Sequence, residues 1–188
     1  MNKKHHALLA MLIASGTAFA QIDSTPRVED KQLTYHLLAN LSYEMGVSKA
    51  STIRISGPID AGVTYELYTD FQGSTQTNSY YYIRPSVAVE FRHYYNLENR
   101  MQKGKRVDKN SGNFLAPVVA LYGPALAKSD GLEVADISGV IGGLWGIQRN
   151  YGKSFNFQLS IGPGFGFSKN EISFVPLGEL SLGFRIGN

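Results

Sequence analysis

Phe155 to Phe167 reads F-N-F-Q-L-S-I-G-P-G-F-G-F, with every odd position apolar and every even one Asn, Gln, Ser or Gly. Successive side chains of an extended chain point to opposite faces, so the stretch predicts a strand with one apolar and one polar face. It runs to about twice the usual strand length.

The same odd/even code governs most of the chain. From Leu33 to Val47 the apolar set Leu33, Tyr35, Leu37, Leu41, Tyr43 and Met45 alternates with His36, Asn40, Ser42 and Glu44. After a turn at Ser48-Lys49-Ala50, Ile53, Ile55, Ile59, Val63, Tyr65 and Leu67 oppose Arg54, Ser56, Asp60, Thr64 and Glu66. A third run sets Tyr81, Ile83, Val87, Val89 and Phe91 against Arg84, Ser86, Glu90 and Arg92. Near the end of the chain Phe174, Leu180, Leu182, Phe184 and Ile186 oppose Ser173, Glu179, Ser181 and Arg185. Ile137 to Arg149 is a further strand, and Asn113 to Lys128 is one that is apolar on both faces.

Seven strands follow, over residues 33–47, 52–67, 80–95, 113–127, 134–149, 154–168 and 173–187. A closed single-chain barrel normally has an even number. The eighth lies either within Gln21 to Lys31, or in Leu33 to Val47 folded at Asn40 into two short strands. The connections at Ser48 to Ala50 and Asn150 to Lys153 are tight, those at Thr69 to Ser79 and Ser129 to Asp136 are longer exposed loops, and Asn96 to Gly112 is long and basic.

Residues 1–20 have the parts of a secretory signal peptide: Lys3 and Lys4, an apolar stretch from Ala7 to Ala14, and Ala18-Phe19-Ala20 as a cleavage site near Ala20. Without them the charge falls from 18 basic and 15 acidic residues to 16 and 15, which gives no support to a nucleic-acid partner. Residues 21–32 form a flexible N-terminal segment, and 33–188 a single domain. The chain has no cysteine, hence no disulfide, thiolate metal site, thiol nucleophile or lipoprotein anchor. No later stretch approaches the roughly 18–20 consecutive apolar residues of a membrane helix, so any crossing must be made by strands.

Strand length and charge placement favour a transmembrane barrel over a soluble sandwich or a secreted soluble β-protein. Fifteen-odd residues span roughly 50 Å, enough for a tilted crossing and its rims. The apolar faces of the charge-bearing runs hold no charged residue, and one would cost about 2–4 kcal/mol at the bilayer midplane. Charge collects on the other face as Glu44, Asp60, Glu66, Glu90 and Glu179 against Arg54, Arg84, Arg92 and Arg185. With about eight strands the interior is filled by side chains, so these groups pair there and plug the lumen. The expected fold is all-β, an antiparallel up-and-down transmembrane β-barrel of about eight strands. A three-residue turn at Ser48 to Ala50 sets Glu44 opposite Arg54 inside, in contact, and Met45 opposite Ile53 outside.

Residues that carry chemistry are few. His36 is expected in the lumen about one diagonal from Glu66, and His93 on the lipid-side parity near the rim. Neither stands in a metal-binding or triad spacing. No catalytic residue, cofactor or metal is expected. A lipid-modifying barrel enzyme, acting on lipid A or phospholipid acyl chains, would need His36, Glu66 and a loop serine. The basic residues Arg100, Lys103, Lys105, Arg106 and Lys109 read as a solvated periplasmic turn, with anionic polymer as the other reading. Gly162, Gly164 and Gly166 relieve crowding inside a strand rather than cradle a phosphate.

Phe91 to Phe114 (F-R-H-Y-Y-N-L-E-N-R-M-Q-K-G-K-R-V-D-K-N-S-G-N-F) and Trp145 to Phe157 (W-G-I-Q-R-N-Y-G-K-S-F-N-F) resemble a group of small outer-membrane β-barrel proteins of flavobacteria-like bacteria. The resemblance implies a barrel in the outer membrane of a Gram-negative bacterium and no established activity. Such barrels usually end on an aromatic residue, whereas this sequence ends Ile186-Gly187-Asn188. The expected partners are outer-membrane lipid, lipopolysaccharide and the barrel assembly machinery. The expected role is structural or adhesive.

Overall fold

The computed structural model describes residues 25–37, 40–69, 73–169 and 171–187. The leader expected at 1–20 lies outside the described residues. The fold is all-β and antiparallel. Its elements are β1 (Lys31–His36), β2 (Asn40–Gly46), β3 (Ser51–Gly57), β4 (Ile59–Thr69), β5 (Thr75–Tyr94), helix α1 (Leu97–Gln102), a 3₁₀ turn (Asp108–Asn110), β6 (Asn113–Tyr122), β7 (Ala127–Lys128), β8 (Ser138–Tyr151), β9 (Phe155–Ser168) and β10 (Ile172–Ile186).

Neighbouring strands run in the order β3-β2-β1-β10-β9-β8-β6-β5, and β5 pairs back onto β3, so eight strands close a ring. Strand β4 is the continuation of β3. Both pair with β5 in one register, Arg54 opposite Glu90 and Asp60 opposite Arg84. Pro58 separates them, since a proline has no N–H to give the ladder.

The eighth strand comes from splitting 33–47. A hairpin turns between His36 and Asn40, which pair with each other, and β1 then closes the ring against β10 through Leu33–Ile186 to His36–Gly183. Two other expectations are corrected. The loop expected at Thr69 to Ser79 is largely strand, because β5 starts at Thr75, paired to Thr69. The flexible segment expected at 21–32 is docked where it is described. Val28 N donates to the Lys49 carbonyl at 3.0 Å, the Val28 side chain is buried in one cluster with Tyr94, Leu97 and Phe114, and Lys31 and Gln32 belong to β1.

Register fixes sidedness. Even-numbered side chains point inward along most of the wall. The odd-sum pairing of β9 with β10, Phe165 with Phe174 and Leu159 with Leu180, hands the inward face of β10 to odd numbers. Ile55, Val89 and Phe165 are exposed on the outside while Arg54, Glu90 and Arg92 are buried within. Strand β6, apolar on both faces, turns Leu115, Val119 and Leu121 outward and Phe114, Ala116 and Val118 inward. Among the described residues eighteen polar or charged side chains are buried, against eight hydrophobic ones. The buried set is thus mainly polar, while many large apolar side chains of the strands stand exposed.

Bulky side chains fill this narrow bore where a neighbouring strand has glycine. A Cβ at Gly146 would lie 2.3 Å from the Phe114 ring, and one at Gly142 or Gly164 would lie 2.7 Å from Leu177 Cδ1. Gly162 serves a different contact: its Cβ would meet the Gly143 carbonyl oxygen at 1.8 Å, so the two backbones approach there as only glycine permits.

Candidate functional site

One end of the ring is closed by a cap. Helix α1 buries Leu97, and the 3₁₀ turn buries Asn110 and Ser111. Asn110 Oδ1 accepts from Glu29 N at 2.7 Å, Lys109 N donates to Glu29 Oε1 at 3.1 Å, and Asn150 Nδ2 donates to the Lys109 carbonyl. The expected solvated turn is therefore a folded lid over the strand ends. Three of its five cations are spent on its own structure. Arg100 Nη2 donates to the Arg106 carbonyl at 2.9 Å, Arg106 chelates Asp108 at 2.6 and 2.8 Å, and Lys109 Nζ donates to the Lys153 carbonyl at 2.6 Å. Lys103 and Lys105 are exposed. The hydrogen bonds from Arg106 hold the Asp108 carboxyl below the usual carboxylate range.

Above the cap lies a buried layer of hydrogen bonds. Glu44 accepts from Thr52 Oγ1 at 2.7 Å and Tyr94 Oη at 2.7 Å, and stands 3.8 Å from Arg92 Nη1. Arg92 is wholly buried. Its Nε donates to Glu90 at 2.8 Å, its Nη1 to Gln148 Oε1 at 2.8 Å, and its guanidinium carbon lies 4.3 Å from the Phe114 ring centroid. Next comes Arg54, which donates to Glu90 Oε1 at 2.6 Å and reaches Glu179 at 3.2 Å, while Gln158 Nε2 donates to the same carboxylate at 3.0 Å.

The register expected of β2 and β3 holds, with Glu44 paired to Arg54 and Met45 to Ile53. The side-chain contact expected from it does not form. In a closed ring Arg54 has a second cross-strand neighbour, Glu90 on β5, and Glu179 facing it across the bore, and it takes those two. Glu44 turns instead to Thr52, Tyr94 and Arg92. Asp60 and Arg84 form a separate pair at 2.8 Å nearer the other end. Arg185 joins none of the ion pairs among the described residues, its backbone N donating to Ser154 near the capped end. Glu66 lies on β4 opposite Asn78, and its side chain is outside those described.

Among the described side chains His36 meets two serines, and Glu66, its expected neighbour, lies outside those described. The His36 Nε2 lies 2.7 Å from Ser42 Oγ and its Nδ1 2.6 Å from Ser181 Oγ, all three side chains buried. His93 faces outward at the rim, its Nδ1 3.1 Å from Ser51 Oγ. Sequence reasoning put Asn156 and Gln158 on the polar face but did not single out the rest of the neutral half of the plug, Gln148, Asn150 and Tyr94. Their even parity was the available signal.

Between the Arg54 layer and the Asp60–Arg84 pair the packing opens into a cavity of about 210 Å³. Asn40, Ser56 and Asp60 line one side of it, Val118, Val140 and Leu144 the other. No group of three or more His, Asp or Glu side chains among the described residues is arranged to hold a metal ion. No protein-family model matches the chain, nor does any curated protein or solved structure.

Proposed function

We propose that the chain is an integral outer-membrane β-barrel whose lumen is plugged at the capped end, exported by the leader at residues 1–20 and serving a structural or adhesive role without catalysis. The inverted distribution of side chains carries this reading. Leu115, Val119, Leu159, Ile161, Phe165 and Phe174 stand exposed on the outer face, while Glu44, Arg54, Glu90 and Arg92 are nearly inaccessible. Water would penalise that outer surface, at about 25 cal/mol per Å², and hydrocarbon would not. Aromatic contacts stand near the capped end, where Tyr151 packs on Phe155 and Phe155 on Phe184, and Trp145 Nε1 donates to Tyr95 Oη at 2.8 Å, and Phe165 packs on Phe174 toward the other end. Amphipathic rings at the capped end suit a membrane interface. The layered ion pairs leave no continuous bore for a pore.

Membrane extraction tests the reading. The mature chain is expected to stay with the outer-membrane fraction until detergent is added and to migrate differently on gels before and after boiling; recovery in detergent-free buffer would overturn the proposal. A lipid-modifying enzyme is the second reading, favoured by the two serine hydroxyls against His36, the beginning of a nucleophile–base arrangement. It predicts an altered lipid A or phospholipid acyl profile when the gene is deleted. An unchanged mass spectrum removes it.

A further inference from the structure

The outward face of β8 carries a single charged side chain, Arg149, set between Trp145 and Tyr151 on the same parity at the capped end. A long basic side chain at an interface ordinarily snorkels, extending to put its charge in water. Arg149 is folded back onto β6 instead. Its Nη1 donates to the carbonyls of Gly112 and Gln148, both at 2.7 Å, and its Nη2 to Asn113 Oδ1 at 2.6 Å. Asn113 Nδ2 in turn donates to Tyr95 Oη at 3.4 Å, and Trp145 Nε1 to the same oxygen at 2.8 Å. These side chains form one array across the capped ends of β5, β6 and β8, with Tyr95 the first residue past β5.

What the array has left to offer is donors and positive charge. Of the five N–H groups of an arginine, Arg149 uses three, so Nε–H and one Nη2–H have no acceptor among the described residues. Tyr95 Oη already accepts twice, which leaves its own hydrogen to give. Inside the ring Arg54, Arg84 and Arg92 each hold a carboxylate. Arg149 holds none among the described residues, and the charge that acts on it most is a second cation, Arg100 of α1, whose own bonds go to the Arg106 carbonyl. Toward the middle of the wall the surface turns apolar at once: Leu115 and Ile161, the partners of Trp145 on β6 and β9, are exposed as it is.

We infer that this array binds the phosphate of an anionic phospholipid, one acyl chain of which lies along Leu115, Trp145 and Ile161. Charge complementarity selects the ligand. A phosphate diester brings acceptor oxygens to the spare donors of Arg149 and Tyr95, and a guanidinium matches phosphate geometry better than any other side chain. A free anion would leave the apolar strip beside the array uncovered, whereas a lipid covers both. A headgroup with its own ammonium would meet two guanidiniums and no paired carboxylate, so a net-anionic headgroup is preferred to a zwitterionic one. The spacing agrees, since four residues of strand separate Arg149 from Trp145 by about 13 Å, which sets the indole against the chain of a lipid whose phosphate is at Arg149. The site rests on the membrane reading above, because the bilayer supplies its ligand.

Trp145 is the one tryptophan of the chain, so its emission reports lipid at this place alone. The test uses the full mature chain in phosphatidylcholine vesicles, with a growing fraction of the lipid replaced by phosphatidylglycerol carrying brominated acyl chains or, in parallel, by brominated phosphatidylcholine. Bromine quenches indole emission on contact. Phosphatidylglycerol is expected to reach half-maximal quenching at a fraction at least about fivefold lower, the value of one arginine near a membrane surface. Arg149→Gln is expected to bring the two lipids within about twofold of each other. Arg100→Gln leaves the wall untouched and is expected to weaken the preference in part, which keeps the test decisive if Arg149→Gln does not fold. Lys128→Gln removes a cation near the other end of the ring and is expected to change nothing. Equal quenching by the two lipids overturns the site, as does a preference that both arginine variants leave intact or that Lys128→Gln reduces as much as they do. Emission untouched by either brominated lipid would instead overturn the membrane reading on which the site stands.

Discussion

Glu44 shows how a single side chain is committed in this interior. It accepts two short hydrogen bonds, from Thr52 and Tyr94, and sits within 3.8 Å of Arg92, itself wholly buried. Truncating one partner of such a group strands the others without water. Glu44→Ala is therefore expected to cost about 3–5 kcal/mol, read as the shift of the urea unfolding midpoint in micelles. Arg185→Ala removes a half-buried side chain that joins none of the ion pairs among the described residues and is expected to change stability by less than about 0.5 kcal/mol. Equal losses from the two would mean that the layered network does not carry the interior. The sequence marked both residues as lumen charges on parity alone, and Glu44 is buried inside the ring. Parity could not rank them, since which neighbour a charge takes depends on the second strand beside it and on the chain facing it across the ring. Arg54 choosing Glu90 and Glu179 over Glu44 is the clearest case.

The elements were more legible, for a physical reason that also explains the failures. Alternation survives wherever one face is apolar, which is why β3, β5, β9 and β10 could be read directly. The fold within residues 33–47 stayed one of two alternatives because His36 pairs with Asn40, even with even, so the code runs from β1 into β2 unbroken. The first residues of β5, Thr75 to Ser79, are polar on both faces and paired only to β4, so they carry no alternation to read. The cap was misread for the opposite reason: its charges looked solvated, and their partners are backbone carbonyls and Asp108, invisible to a charge pattern. Its pH response follows from Asp108. The folded carboxyl titrates below its ordinary value of 3.8, so the Arg106 clamp stabilises the lid fully above that value and is lost as pH falls through the lowered one. Asp108 is half exposed, so the loss is local. Amide exchange in residues 104–110 is expected to accelerate below about pH 4 relative to the strand amides, and Arg106→Ala to give the same acceleration at neutral pH. Exchange insensitive to both would show that the clamp does not hold the lid.

At the scale of the molecule the decisive quantity is the sign of the environment outside the ring. Val89 is exposed on β5, flanked across the ladders by Ile55 and Val119, both also exposed. A water-soluble protein tolerates Arg at such a position, the change falling within about 0.5 kcal/mol. On the membrane reading the same substitution places a guanidinium against lipid tails and costs about 2–4 kcal/mol at the midplane, less toward the rims. Val89→Arg and Phe91→Arg, the second closer to the capped end, separate the two cases in one experiment. Reversible folding into lipid vesicles is expected to lose about 2–4 kcal/mol for the first and a smaller amount for the second, a depth dependence that water cannot produce. The outward parity of both positions is fixed by the buried neighbours Glu90 and Arg92, so neither substitution reaches the interior network. A loss confined to one of them irrespective of depth would point to packing, and no loss from either would place water against that face.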